Sequence, residues 1–410
     1  MEISIKNIFT NTFIWLLIFH FTTFMLWPVP IKVILYSIVF IITIKYFLST
    51  NRKYNIIKYD VFSLLLIIYF FYCFFNMFIM YEQIERLVYG FYEYIFYTLF
   101  MFVFLEGFSN INIRYLKNYM CFISIITSII AIIEYIFQIY LINTEGYMTW
   151  NEEGDSIFRA IAFSTSPMTL GILLDIYIFT SIDRYIESKK KIFIFIAFLN
   201  FIALLSTYSR GPLVAFIGGI IVYWLLYHKK SIAKNIIFLI IIFAIISIFM
   251  FVGDSTTDLV VRFRSILDWD ENASNVQRML YWAMSLNIIF DNINNFILGI
   301  GLASTGAMGL GVSSIMVTES GVLKRFVEGG VIMIILNYVI IGMIFFRGIK
   351  SIDDLGIIEK RTCIYAIVCI VSILIMDCTL QVTEDTTTSF FFWLFLAMIL
   401  VITNNKKIIR

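Results

Sequence analysis

The residues best suited to chemistry in this chain are arginines set in polar turns between apolar runs. Arg210 stands in Ser206-Thr207-Tyr208-Ser209-Arg210-Gly211-Pro212, where one apolar run ends and the next begins. Its planar fork of donors, desolvated on one side, matches the oxygens of a phosphate or diphosphate headgroup. An arginine that only snorkels to the membrane interface has the same signature. Arg262 and Arg264 lie two apart, and Arg278 follows in Val276-Gln277-Arg278-Met279-Leu280-Tyr281-Trp282. From Val276 to about Phe290 apolar residues recur at helical spacing. That predicts a helix along the membrane surface or capping a bundle, with Arg278 near its start. Asp268, Asp270 and Glu271 are alternative partners for Arg278.

A second group is Glu319, Ser320, Lys324, Arg325 and Glu328, at the start of a strongly apolar stretch. Lysine and arginine in the first turn of a helix oppose its dipole, so they ask for an anionic ligand or a partner carboxylate. Glu319 is a candidate general base for a sugar hydroxyl. The alternative is a Glu319–Lys324/Arg325–Glu328 ion network that only caps the helix. Between the two groups lie Gly299, Gly301, Gly306, Gly309 and Gly311. They do not make a nucleotide-phosphate loop: no strand precedes them and no Gly-Lys-Ser/Thr follows. A close-packed turn using the freedom of glycine is expected instead.

The elements that must carry these residues are membrane helices. The 410 residues are 61% hydrophobic and only 14% charged, with a mean hydropathy of +0.91. A water-exposed surface cannot be built from that composition, so lipid is the solvent. The net charge of +2 implies no polyanionic partner, and no nucleic-acid partner is expected. Five cysteines in apolar runs, without a CxxC pair or a Cys/His cluster, suggest neither disulfides nor a metal site.

A span needs about 20 mostly apolar residues. That rule predicts helices at 10–27, 30–49, 60–80, 87–106, 116–141, 158–180, 192–207, 211–228, 234–252, 321–346, 361–380 and 386–404. The expectation is an all-α polytopic integral membrane protein of about 12 transmembrane helices, one membrane domain over 1–410. A long extracytoplasmic loop, 253–320, joins helices nine and ten. The first helix reads as retained and not as a removed signal peptide. Arg210-Gly211-Pro212 marks either a tight hairpin or a broken helix.

With both termini inside, 20 of the 30 basic residues fall on inner segments and 9 on outer ones, while Lys45 lies within a span. The positive-inside rule then sets the orientation. The loop around Glu145–Asp155, the Ser209-Arg210-Gly211 turn, the long loop and Thr383–Asp385 thereby share one outer face. ATP and nucleotide sugars are cytoplasmic, so substrates there are lipid-linked or already exported. Glu93, Glu134, Asp175 and Asp377 fall inside spans, as a proton path or as structural groups. No two share a span and no histidine accompanies them, which favours structure.

Ser209-Arg210-Gly211 opening a helix, Arg278 with Tyr281-Trp282, and Asn295-Phe296-Ile297-Leu298-Gly299-Ile300-Gly301 form an ordered set. Glu319-Ser320-Gly321-Val322-Leu323 and Glu328-Gly329-Gly330 complete it. Over about Leu204–Leu336 the set resembles the O-antigen polymerase (Wzy) and O-antigen ligase superfamily. The resemblance implies a membrane glycosyltransferase of the C type (GT-C-like) in the bacterial cytoplasmic membrane. Such enzymes join oligosaccharide repeat units carried on undecaprenyl diphosphate, at the outer face, without metal, cofactor or nucleotide sugar. By that likeness Arg210 and Arg278 hold the diphosphate and stabilise it as leaving group, with Glu319 as third catalytic candidate. Ser209, Arg262, Arg264, Tyr281, Lys324 and Arg325 are the substrate-binding candidates. A chain-length regulator is a further expected partner. Ligases of the superfamily place a histidine before the tenth helix; here Glu319-Ser320 stands instead, which implies polymerase over ligase. A flippase for the same lipid-linked units and a non-catalytic scaffold are the competing classes.

Overall fold

The computed structural model describes residues 5–48, 61–80, 84–107, 113–142, 148–150, 156–227, 273–305 and 318–409. Helices dominate, because an isolated segment in hydrocarbon must satisfy its own backbone. In order they are α1 (Ile5–Thr22), α2 (Val29–Leu48), α3 (Val61–Met80), α4 (Ile84–Gly90), a π-helical turn (Phe91–Phe96), α5 (Tyr97–Gly107) and α6 (Ile113–Phe137). A small antiparallel hairpin follows, β1 (Met148–Trp150) with β2 (Ser156–Phe158), pairing Thr149 opposite Ile157. Then come α7 (Pro167–Ser188), α8 (Ile192–Ser206), α9 (Arg210–Tyr227), α10 (Ala273–Asp291) and α11 (Ile293–Leu298). The chain closes with α12 (Gly321–Ser351), α13 (Ile357–Thr379) and α14 (Thr386–Ile409).

A helix stands at each expected span except 234–252, which lies outside the described residues. Six described segments are long and apolar enough to cross a membrane: Arg86–Leu105, Ile113–Phe137, Arg210–Tyr227, Gly321–Asp354, Ile357–Thr379 and Thr386–Asn404. The expected span 158–180 starts later, at Pro167. Ser166 caps α7 by accepting the Thr169 amide at 3.1 Å, with Pro167 in the first turn. Hydropathy alone cannot see that start, so the apolar residues 158–163 look like helix although they form a buried turn.

The centre of the bundle is α14, of whose apolar stretch 94% is enclosed, against 28% for α9 at the periphery. Phe71, Phe78 and Phe346 are about 70% exposed on outward faces, the expected state for side chains whose solvent is lipid. The Arg210 turn is a hairpin corner. After a three-residue connection both helices pack on α7, α8 also on α6 and α9 also on α13.

α12 is kinked at Gly330, whose φ of 63° and ψ of −170° lie in a region essentially reserved for glycine. The kink leaves carbonyls without helical partners, and the glycine turn fills them: Ile300 N–H donates to Val327 at 2.8 Å and Gly301 N–H to Glu328 at 3.0 Å. Tyr72 donates to Gly329 O at 2.5 Å, and Asn76 ties down both Leu298 O (2.7 Å) and Leu302 N–H (2.9 Å). A Cβ on Gly330 would sit 2.2 Å from Ile297 O. Gly330→Ala should therefore cost about 3 kcal/mol or more, combining backbone strain with overpacking. A thermal unfolding curve in detergent superimposable on wild type would contradict this.

Candidate functional site

Among the described residues, the Arg210 elbow, the Glu319 turn and the Thr383–Asp385 turn, all assigned to the outer face, come together at one end of the bundle. At the elbow between α8 and α9, Tyr208 has φ of 52°, and Arg210 occupies the first position of α9. Gly211 packs on the end of α13: an added Cβ would meet Met376 Sδ at 2.5 Å. α12 starts against the same end, since a Cβ on Gly321 would meet Asp377 Oδ1 at 2.2 Å and Gly321 N–H reaches Leu380 O at 3.3 Å. The α13–α14 turn joins the other side, with Thr165 donating to Asp385 at 2.7 Å. At the opposite end of the bundle the predicted inner charges also cluster. Lys117 meets Asp183 at 2.7 Å, Arg361 meets Asp183 at 3.5 Å, and Arg114 meets Glu187 at 2.6 Å.

α10 lies over the start of α12 and presents Arg278 to Glu319 at 3.4 Å; both side chains keep about a quarter of their surface exposed. Among the described residues Glu319 is the ion partner of Arg278, and Asp268, Asp270 and Glu271 lie outside them. Trp282 Nε1 donates to the Glu319 carbonyl at 3.1 Å, holding that residue in the left-handed conformation (φ 50°). Ser320 caps α12 by accepting the Leu323 amide at 3.4 Å. Tyr281, on the same helix as Arg278, accepts from Gln277 at 3.1 Å. Arg262 and Arg264 lie outside the described residues, as do Gly306, Gly309 and Gly311.

Lys324 and Arg325 meet carboxylates. The Lys324 ammonium, 1% exposed, lies 2.7 Å from Glu384, 3.1 Å from Glu93 and 3.7 Å from Glu328. Arg325 binds Asp377 at 2.6 Å, Tyr338 at 3.3 Å and Thr383. The network differs in membership from the expected Glu319–Lys324/Arg325–Glu328 set: three carboxylates, Glu93, Glu384 and Asp377, come from elsewhere in the chain, and Glu319 turns to Arg278. A π turn makes room for this. It lets the adjacent Glu93 and Tyr94 both reach α12, where Tyr94 donates to Glu328 at 2.5 Å. Glu328 also accepts the amides of Ala303 (2.9 Å) and Thr305 (3.0 Å), so it organises the end of the glycine turn.

Glu93, Glu384, Arg325 and Asp377 line a cavity together with Tyr69, Asn337 and Trp393. Burial pushes the Glu384 carboxyl well above the usual carboxylate range against the pull of Lys324, and Glu93 and Glu328 push the same way. Burial raises Asp385 as well, partly offset by donors from Thr165, Thr388 and Thr387. Of the four charges expected inside spans, Glu93 and Asp377 join this network. Glu134 accepts the amides of Leu141, Ile161 and Ala162, and Asp175 meets Ser372 at 3.3 Å.

One contributor was not visible beforehand. Arg159, in the turn before α7, donates from Nε to Thr207 O at 3.1 Å and from Nη2 to Ser209 Oγ at 2.5 Å. Its sequence context is an apolar run, and only its basic character on the expected outer face gave a signal. Two arginine turns, a carboxylate beside one of them and an apolar bundle below suit an anionic headgroup on a lipid anchor.

Residues 195–338 match the family model described as O-Antigen ligase. No curated protein matches the chain. The matched stretch runs from Phe195 in α8 to Tyr338 in α12, and so contains Arg210, Arg278, Glu319 and the glycine turn packed on the kinked helix. This segment is similar to the Wzy/O-antigen ligase superfamily, and the match does not separate polymerase from ligase.

Proposed function

We propose that this protein polymerises lipid-linked oligosaccharide repeat units at the outer face of the bacterial cytoplasmic membrane. The likeness of residues 195–338 to the O-Antigen ligase family model supports a multi-pass, glycosyltransferase-like membrane enzyme of polysaccharide assembly, working on units carried by undecaprenyl diphosphate. The observation that carries it is the convergence of α9, α12 and α13 ends, which sets the Arg210 elbow beside the Glu319 turn that holds Arg278. Both arginines bind the diphosphate of the donor. The acceptor sugar hydroxyl attacks the anomeric carbon, and the bond from that carbon to the diphosphate oxygen breaks. The electron pair leaves on the diphosphate, stabilised by the two guanidiniums. The hydroxyl proton passes to the Glu319 carboxylate, which already faces Arg278 at 3.4 Å. Ser209 and Tyr281 border this path, and Arg262 and Arg264 remain substrate-binding candidates outside the described residues. Lys324 and Arg325, committed to carboxylates, hold the wall and contribute potential without direct contact.

No histidine stands between Gly253 and Ser320, which favours polymerase over ligase. A chain-length regulator, both termini in the cytoplasm and 253–320 as an extracytoplasmic loop belong to the same proposal. The test is the lipid-linked glycan profile of a deletion strain. Single repeat units at the outer face with no long chains are expected. Polymer still made but left on its lipid would mean ligase, and units trapped on the cytoplasmic side would mean flippase.

A further inference from the structure

We infer that Arg159 is the positioning residue of the elbow: its guanidinium clamps the two residues that flank Tyr208 and thereby sets the direction of Arg210. The inference rests on Arg210 acting in the site as proposed above. Tyr208 sits between Thr207 and Ser209 in a left-handed conformation (φ 52°), one that a bulky L residue keeps only under constraint. The constraint is a closed triangle. Arg159 Nε donates to Thr207 O at 3.1 Å, Arg159 Nη2 donates to Ser209 Oγ at 2.5 Å, and Ser209 Oγ donates to Thr207 O at 3.2 Å. Two nitrogens of one rigid plane thus hold both sides of the strained residue. A lysine ammonium, a single point on a flexible stem, cannot reproduce that fork.

The clamp is itself anchored. Arg159 is 3% exposed, and Ala160 N–H donates to Ser206 O at 3.2 Å. Glu134 of α6 accepts Ile161 N–H at 3.0 Å and Ala162 N–H at 2.8 Å, fixing the turn that carries the arginine. A continuous polar line therefore runs from α6 through residues 159–162 to Ser209, and Arg210 is the next residue. α7 and the Phe201–Phe216 ring pair (5.6 Å) pack the two helices together, and the clamp adds the polar constraint that holds the turn between them. A small misplacement of a group that stabilises a leaving group lowers turnover far more than it lowers binding.

The test is a double-mutant cycle in membranes, with the lipid-linked repeat units that accumulate in the deletion strain as probe and rates normalised to inserted protein. Arg159→Lys is expected to lower kcat by about 10- to 100-fold with KM nearly unchanged. Ser209→Ala, which removes one arm and leaves the buried cation, is expected to lower kcat by less. In an Arg210→Ala background neither change should reduce kcat further, because both act through the arginine already removed. Losses that multiply in that background would overturn the inference, as would an Arg159→Lys protein that inserts less but turns over normally. If Ser209→Ala and Arg159→Lys raise KM at constant kcat, Arg159 acts on binding and the positioning role falls. Should Arg210→Ala alone leave turnover intact, the site assignment fails first, and the positioning role with it.

Discussion

In a strain producing Arg210→Ala at the normal level, long glycan should fall by about 100-fold or more, with single lipid-linked units accumulating. The size follows from removing one preorganised donor aimed at developing charge, a change that costs about 10²–10³ in turnover. Arg210 opens α9, so the positive end of the helix dipole adds to the guanidinium where the leaving group gathers charge. Alanine keeps the helix dipole and loses the fork. Lysine keeps the charge without the bidentate geometry and should restore only part of the rate. The fold should persist, because the clamp on Thr207 and Ser209 lies upstream of the altered side chain. Polymer of unchanged length and amount would remove Arg210 from the site and return it to the role of an interfacial anchor.

A change at Lys324 should show the opposite pattern, with stability lost first. Lys324→Met leaves Glu93, Glu328 and Glu384 facing one another without the ammonium that lies within 3.7 Å of all three. Removing one member of a buried ionic cluster costs about 3–5 kcal/mol, because the remaining charges stay desolvated and lose their partner. Thermal unfolding in detergent should therefore begin markedly earlier than in wild type. The double variant Lys324→Met/Glu384→Gln should recover part of the loss, since it removes one of the orphaned carboxylates. Lost activity at unchanged stability would instead return Lys324 to direct contact with substrate. The comparison between Arg210 and Lys324 separates a cation that meets ligand from one whose charge is consumed internally.

What the chain determines by itself is the set of elements. Apolar runs of span length are local properties, so a described helix stands at each expected span but 234–252, although α7 starts at Pro167 and not at 158. The basic residues sort the loops into two groups, and among the described residues Lys117, Arg361 and Arg114 gather at one end of the bundle while Arg278, Lys324 and Arg325 lie at the other. Glycine also reads locally: Gly299 and Gly330 have positive φ, and each lies where a Cβ would strike the partner backbone. Partners are another matter. Lys324 and Arg325 announce by their position at a helix start that anions must face them, but not which. Glu93 and Glu384 lie 231 and 60 residues away in sequence, and Asp377 reaches Arg325 from the far end of another helix. The identical local sequence would suit a bound phosphate. Arg159 marks the limit most clearly. It stands in an apolar stretch with no motif around it, and its role exists only because the turn after β2 folds back onto an elbow some fifty residues later. Local propensity cannot encode a contact whose two halves are brought together by the packing of α6, α7 and α8; tertiary structure alone decides it.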